Sequence, residues 1–252
     1  MRQNCRQKAD FELTDMPVHI HAALNPDDLL ATLRRIDISV PARTDGRTTD
    51  HAETWTISRL LSTLTKYNLL EFPLSVMHRD RPDSLIQSNG RQIGVEITEA
   101  ISQQYAAYCA LAEREFPELF LEPAHFRWGA PAMTVNDMRN LLQQSNLSSM
   151  GWAGNRPEQE WALFIRSVVD SKLTKLERAD FAKYCQNWLA IYDNLPLPNI
   201  NLSTAVACLQ PLLHDQWGKK PGFDTLLVEH GPVIVRITSS GSEHLALNDL
   251  WE

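Results

Sequence analysis

"RPDSLIQSNGRQIGVEITEA", residues 81–100, decides how this chain is read. Asn89-Gly90 separates two apolar-rich arms and is a strong two-residue hairpin signal, because both turn positions of that hairpin type need positive φ. Such a turn pairs Ser88 with Arg91, Gln87 with Gln92, Leu85 with Gly94 and Asp83 with Glu96. Directly opposed residues share a face, with Cβ atoms about 4.5–5.5 Å apart. The register alone therefore brings two carboxylates together, while Ile86, Ile93, Val95 and Ile97 take the opposite, core-facing side.

Like charges directly opposite are destabilising. If the pair is partly buried, one acid must hold a proton or both must share a cation. A hard divalent ion such as Mg²⁺ suits such a site, since it prefers oxygen ligands. The alternative is a solvated face on which the repulsion is tolerated. Gly94, two residues before Glu96 on the same face, is expected to leave room for a ligand backbone.

Upstream, "DHAETWTISRLLSTLTKYNLL" from residue 50 carries helical spacing at Ile57, Leu60, Leu61 and Leu64. Glu53 lies one turn before Ile57 on that stripe, where an acid needs a partner. It is also placed to be the third residue of a capping box opened by Asp50. Both readings stay open. "FPLSVMHR" (72–79) reads as a strand and "EAISQQYAAYCALAERE" (99–115) as a helix. "NWLAIYDN" (187–194) is a buried-strand candidate, "LSTAVACLQPLL" (202–213) a helix, and "FDTLLVEHGPVIVRIT" (223–238) two strands around Gly231. The expected class is α/β, a mixed central sheet flanked by helices. One domain is expected over 1–252, with its core at 48–115 plus 185–195. Residues 116–160 form a loop and helix insertion, and 200–252 a C-terminal helix and strand pair.

At this point the order of residues resembles the PD-(D/E)xK phosphodiesterase superfamily of restriction-endonuclease-like nucleases. The likeness rests on a helix with Glu53, then Pro82-Asp83, a hairpin, Glu96 in "IGVEIT" and a helix. It covers roughly residues 50–115, with the strand at 187–194 completing an αβββαβ core. The resemblance implies metal ligation by Asp83, Glu96 and the Ile97 main-chain carbonyl, joined by Glu53. It implies Mg²⁺, with Mn²⁺ as a substitute, polarising a phosphodiester and activating water. Nucleic acid is the implied partner, DNA ahead of RNA, in defence, toxin or repair settings that include homodimers or larger complexes.

One position departs from the pattern. The family places a lysine two residues after the second acid, and here stands Thr98. A neutral hydroxyl is a poor substitute for an ammonium. Gln104 and Tyr108 are similar to a Gln-x-x-x-Tyr element of helicase-associated nucleases of the same superfamily, and Gln104 is a candidate to assist catalysis. They equally fit an amphipathic helix with a solvated Gln and a core Tyr. The departure at Thr98 supports a second hypothesis, a catalytically impaired nucleic-acid-binding or interaction module. A third is a small-molecule or structural domain with solvated acids.

The remaining features bound these readings. The chain has 252 residues, 43% hydrophobic and 22% charged, an ordinary globular balance rather than a disordered one. Its net charge of −7 lowers the expectation of tight non-specific DNA binding but permits a local basic cleft. The four cysteines fit no zinc spacing and read as small buried hydrophobes of a reducing compartment. The first 24 residues hold no apolar run of signal-peptide length, and no stretch nears the ~20 apolar residues of a membrane span, so a cytoplasmic, non-membrane protein is expected. There is no P-loop, no G-x-S-x-G and no H-E-x-x-H. The histidines of "HIH" (19–21) lack partners at ligand spacing. Lys219 and Lys220 of "GKKPG", and Lys172, Lys175 and Arg178 on a helix, are candidate phosphate contacts or solvated faces. His78, just before the hairpin, is a further candidate to approach phosphate or a plain structural histidine.

Overall fold

Strand length organises this molecule. The computed structural model describes residues 18–42, 45–119, 121–144 and 151–252. The hairpin forms as the turn dictates: β3 (Ser84–Ser88) and β4 (Arg91–Ala100) pair antiparallel, from Ser88 with Arg91 to Ser84 with Val95. Asn89 and Gly90 both hold positive φ, 47° and 77°, as a primed turn requires. The arms are unequal. β3 has 5 residues and β4 has 10, so Glu96–Ala100 run beyond the end of β3.

The sheet has 8 strands in chain order. β1 (His19–Ala23), β2 (Leu74–His78), β3 and β4 form an antiparallel meander. β5 (Gln186–Asp193) and β6 (Thr225–His230) then run parallel to β4, and β7 (Val233–Thr238) and β8 (Gly241–Ala246) close the sheet antiparallel. Parallel neighbours need long crossovers. α3 (Gln103–Glu115), a 3-10 turn at Pro123–Phe126, α4 (Val135–Gln144) and α5 (Arg156–Leu176) lie between β4 and β5, and α6 (Leu202–Leu212) between β5 and β6. The expected mixed α/β class therefore holds.

Alternation along each strand feeds two cores. On one face, α1 (Pro26–Leu33) and α2 (Thr49–Lys66) bury Leu29, Leu33, Ile57, Leu61 and Leu64 against Val76, Ile86, Val95, Ile97, Ala190 and Leu227. On the other, α5 and α6 bury Trp161, Ile165, Val169, Leu173 and Leu209 against Leu189, Ile191, Leu226 and Val228. Because Glu96 pairs with Leu189 and Thr98 with Ile191, both point toward α5. A third, small cluster around Tyr108, Phe126, Met138 and Leu142 holds α3, the 3-10 turn and α4 together.

Several sequence expectations need correction. Residues 99 and 100 are strand, not helix, because Glu99 and Ala100 pair with Tyr192 and Asp193; α3 starts after Ser102, whose hydroxyl accepts from Tyr105 N–H. α2 is capped from Thr48, whose N–H donates to His51 Nδ1 at 3.1 Å, so Glu53 is not part of a capping box opened by Asp50. Cys109 and Cys208 are half-buried and Cys185 is exposed, rather than core hydrophobes; Cys5 lies outside the described residues, as do 1–17 and 145–150. Among the described residues no helix is long and apolar enough to cross a membrane.

Candidate functional site

The unequal arms leave a notch. Past Val95, β4 pairs with β5 on one side, and the edge toward β3 is free of strand partners. Asp83, the residue before β3, fills the start of this gap: its Oδ2 accepts from the Ile97 N–H at 2.6 Å. A cavity of about 730 Å³ opens here, walled by the first half of α2, the turn before β3, the last turns of α5 and the end of β5. Asp83, Glu96, Ile97, Thr98 and Glu53 all line it.

Asp83 and Glu96 are close enough for their charges to interact. Burial, first, and then the Glu96 carboxylate push Asp83 from 3.8 to about 7, against the opposing pull of the Ile97 N–H bond and the Lys172 charge. Glu96 is 5% exposed. Its Oε1 accepts from Lys172 Nζ at 2.7 Å, while its buried Oε2 has no hydrogen-bond partner. Such a buried, unsatisfied carboxylate oxygen is costly. The same ammonium donates to the Ile97 carbonyl at 3.0 Å. The carbonyl expected as a metal ligand is thus engaged by a protein cation.

Lys172 is the residue whose role sequence reasoning missed. It comes from α5, a different layer and 76 residues from Glu96. A signal was present. Ile165, Val169 and Leu176 are buried, and Lys172 falls between them at four-three-four spacing, in a core position of the helix. A lysine in a core stripe needs an anionic partner, by the same reasoning that singled out Glu53.

Glu53 reaches the site from α2. Its Oε2 lies 3.0 Å from His78 Nε2, and its charge adds to the upward shift of Asp83. Asp50, Glu53 and His78 each present a ligand atom within 4.8 Å of the others. His78 thus meets a carboxylate rather than standing alone. Of the acid oxygens here, Glu96 Oε2 is buried without a hydrogen-bond partner, while Asp83 Oδ2 holds the Ile97 N–H and Glu53 Oε2 the His78 ring; among the described residues the set of ligand atoms within 4.8 Å of one another is Asp50, Glu53 and His78, which does not include Asp83 or Glu96. The orphaned Glu96 oxygen and the raised Asp83 both fit a cation at the centre of the notch: each marks negative charge that the protein leaves under-compensated.

Around this centre the cavity is basic on one wall. Lys175 and Arg178 follow Lys172 along and past α5, and Arg81 faces them from the turn before β3. Asp180 accepts from Arg81 and lies 3.4 Å from Arg178, tying the two walls together. The other expected contributors lie elsewhere. Gln104 is outside the cavity; its side-chain oxygen accepts from Met133 N–H at 3.0 Å, beside a second, smaller hollow, and Tyr108 is core. Lys219, Lys220, His19 and His21 do not line the cavity. Gly94 does not leave room for a ligand: a Cβ there would meet Tyr184 Cδ2 at 2.6 Å and Pro82 Cγ at 2.9 Å. Its lack of a side chain seats the residue before Asp83 instead. No family model, curated protein or solved structure matches this chain.

Proposed function

We propose that the protein is a metal-dependent phosphodiesterase acting on nucleic acid, built on a restriction-endonuclease-like core of α2, β2, β3, β4, a helix and β5. The observation that carries this reading is the acid pair in the notch: Asp83 raised to about 7 beside a buried Glu96 with one oxygen unpartnered. Asp83, Glu96 and Glu53 would hold the cation. When bound, a hard divalent ion such as Mg²⁺ or Mn²⁺ neutralises phosphate charge and lowers the pKa of water.

The chain's own residues supply the rest. Lys172 takes the part that Thr98 cannot: its ammonium stands beside Glu96, on the face where the family places its lysine, and offers positive charge to a phosphoryl oxygen. Lys175, Arg178 and Arg81 draw the phosphate backbone to the cavity of an otherwise acidic protein. Asp83, pushed to about 7, would have to be in its carboxylate form to hold such a cation, so metal uptake would depend on pH through this group.

The test is a cleavage assay on single- and double-stranded DNA and RNA with Mg²⁺ or Mn²⁺. Wild type is expected to cut, and Asp83→Asn and Glu96→Gln are each expected to abolish cutting. Metal-independent cutting by Asp83→Asn at the wild-type rate sinks the assignment. A second reading has one observation in its favour. Lys172 already satisfies Glu96 Oε1 and the Ile97 carbonyl, as an internal cation would in a module that binds nucleic acid without turnover. Calorimetric titration with Mn²⁺ separates the two: heat of binding lost in Glu96→Gln favours the enzyme, and a folded wild type that takes up no Mn²⁺ favours the module.

A further inference from the structure

The cavity has a second end that the acid centre does not use. Trp55 on α2 and Tyr192 on β5 both line it. Their rings meet edge-on, centroids 4.8 Å apart at 71°. Among the described residues neither belongs to any of the three hydrophobic cores. Two large aromatics thus stand outside the cores, packed on each other and bordering a cavity whose lining mixes polar and apolar side chains.

They are also held rigid. Arg59 Cζ lies 4.4 Å from the Trp55 ring centroid, covering one side of the indole. That guanidinium is fixed in turn by Glu229 Oε1 at 3.0 Å and by Asp249. The indole therefore has a charged backing tied down by two acids, and Trp55 also lines the cavity. Polar groups frame the same end. Asn194 Nδ2 donates to Glu99 Oε1 at 2.7 Å, and Arg47 lies 3.9 Å from the other Glu99 oxygen. Burial and the nearby Glu229 and Glu99 push Tyr192 above its usual value, so its hydroxyl stays neutral at working pH. Glu99 is three residues past Glu96 on β4, about 10 Å along the strand. The odd spacing turns Glu99 and its partner Tyr192 to the opposite face of the sheet from Glu96, so the cavity that all three line reaches from the acid centre round the free edge of β4 to the aromatic end.

We infer that the Trp55–Tyr192 end of the cavity is a subsite for a nucleobase, and that the substrate enters as a single strand. This deepens the phosphodiesterase reading and rests on it for the chemistry at the other end. The size permits it. A volume near 730 Å³ falls in the range of small-ligand sites, about 300–1,000 Å³, and is large enough for one nucleotide unit. Bases inside a duplex are paired and stacked and offer no free face, whereas every unpaired base offers one. The basic wall of Lys172, Lys175 and Arg178 meets the backbone, and the aromatic end meets the base.

The experiment separates binding from cleavage. Asp83→Asn protein, in EDTA, is titrated with a labelled short oligothymidylate, with the same strand carrying abasic sites, and with a hairpin duplex of equal charge. The single strand is expected to bind about tenfold tighter than the abasic strand, the usual order for one stacked base. It should also out-compete the duplex. Trp55→Leu should erase the base-dependent tenfold while leaving abasic binding in place. If Trp55→Leu misfolds, the base-against-abasic comparison on Asp83→Asn still decides. Equal affinity for abasic and normal strands, or preference for the duplex, overturns the subsite even if Mg²⁺-dependent cleavage is found. A base-dependent, Trp55-dependent affinity in a protein that never cuts upholds the subsite and overturns the phosphodiesterase alone.

Discussion

Two buried glutamates invite comparison, Glu96 on β4 and Glu229 on β6. They are 5% and 4% exposed. Each accepts at Oε1 from a basic side chain of a packing helix, Lys172 or Arg59, and in each the buried Oε2 lacks a hydrogen-bond partner. Each stands near a second acid. Yet Arg59 contacts both Glu229 and Asp249, so the guanidinium fork is shared between them and the cluster is closed. Lys172 contacts Glu96 and a backbone carbonyl, while Asp83 rests on a single N–H and is pushed to about 7. The Glu96 cluster opens to a cavity and the Glu229 side chain does not line it. Burial and an orphaned oxygen are therefore common to a closed arrangement and to one that opens on a cavity. An unshared cation and an accessible second acid distinguish them.

The largest expected effect comes from the closed cluster. Arg59→Met leaves Glu229 and Asp249 without their common partner and should cost about 3–5 kcal/mol in denaturant unfolding. A loss well below that range would mean the cluster is not the sealed ion pair described. Next comes the open one. Lys172→Met should lower cleavage per folded molecule by roughly 100- to 1,000-fold, the effect of removing one preorganised charge at a transition state. Lys219→Met, outside the cavity, should leave the rate alone. Equal rates for the two variants would return Lys172 to a purely structural role.

Asp83 makes the third contrast through pH. Its folded value lies above its ordinary one, so the proton is held more tightly in the native state. The stability linked to it is complete below about pH 4 and is lost as pH rises through about 7. Asp83→Asn should therefore stabilise the metal-free protein at pH 8, by roughly 1–3 kcal/mol, and change little at pH 4. Thermal unfolding at both pH values checks the sign, and a variant less stable at pH 8 contradicts it. The smallest effect concerns placement. Gly94→Ala forces Tyr184 and Pro82 to move and should cost about 1–3 kcal/mol by overpacking. Because Pro82 precedes Asp83, cleavage should fall further than stability explains; activity lost only in proportion to unfolded protein would detach Gly94 from the acid pair.

What was legible in the sequence followed from local rules. Asn89-Gly90 sets its register without help from the rest of the chain, from Ser88 with Arg91 to Ser84 with Val95; the expected Asp83–Glu96 pair lies one step past the end of that ladder, and Asp83 instead accepts from the Ile97 N–H. The stripe Ile57, Leu60, Leu61, Leu64 marks α2 for the same reason. The edges were opaque. β1 and β8 are short and mostly exposed, and β8 carries few apolar residues, so pairing with β2 and β7 is what makes them strands. The start of α3 was misplaced because Glu99 and Ala100 answer to β5, distant in sequence. Lys172 is grouped by sequence with Lys175 and Arg178, as phosphate contacts or a solvated face, since a lysine pattern looks alike on a wet face and on a core stripe. Its position relative to Ile165 and Val169 separates those cases only when the helix face is counted. Gly94 misled for a related reason: an absent side chain signals a close approach, and what approaches was Tyr184 and Pro82 from the chain itself.

The unequal hairpin has a mechanical consequence. Both acids belong to one hairpin, joined where the Ile97 N–H meets Asp83. The ammonium beside them rides on α5, a separate layer that packs on the sheet through apolar side chains. The hairpin therefore sets where the negative charge stands, and the docking of α5 sets whether it is answered: a variant that displaces Lys172 would change the net charge of the site and leave the acids on their own hairpin.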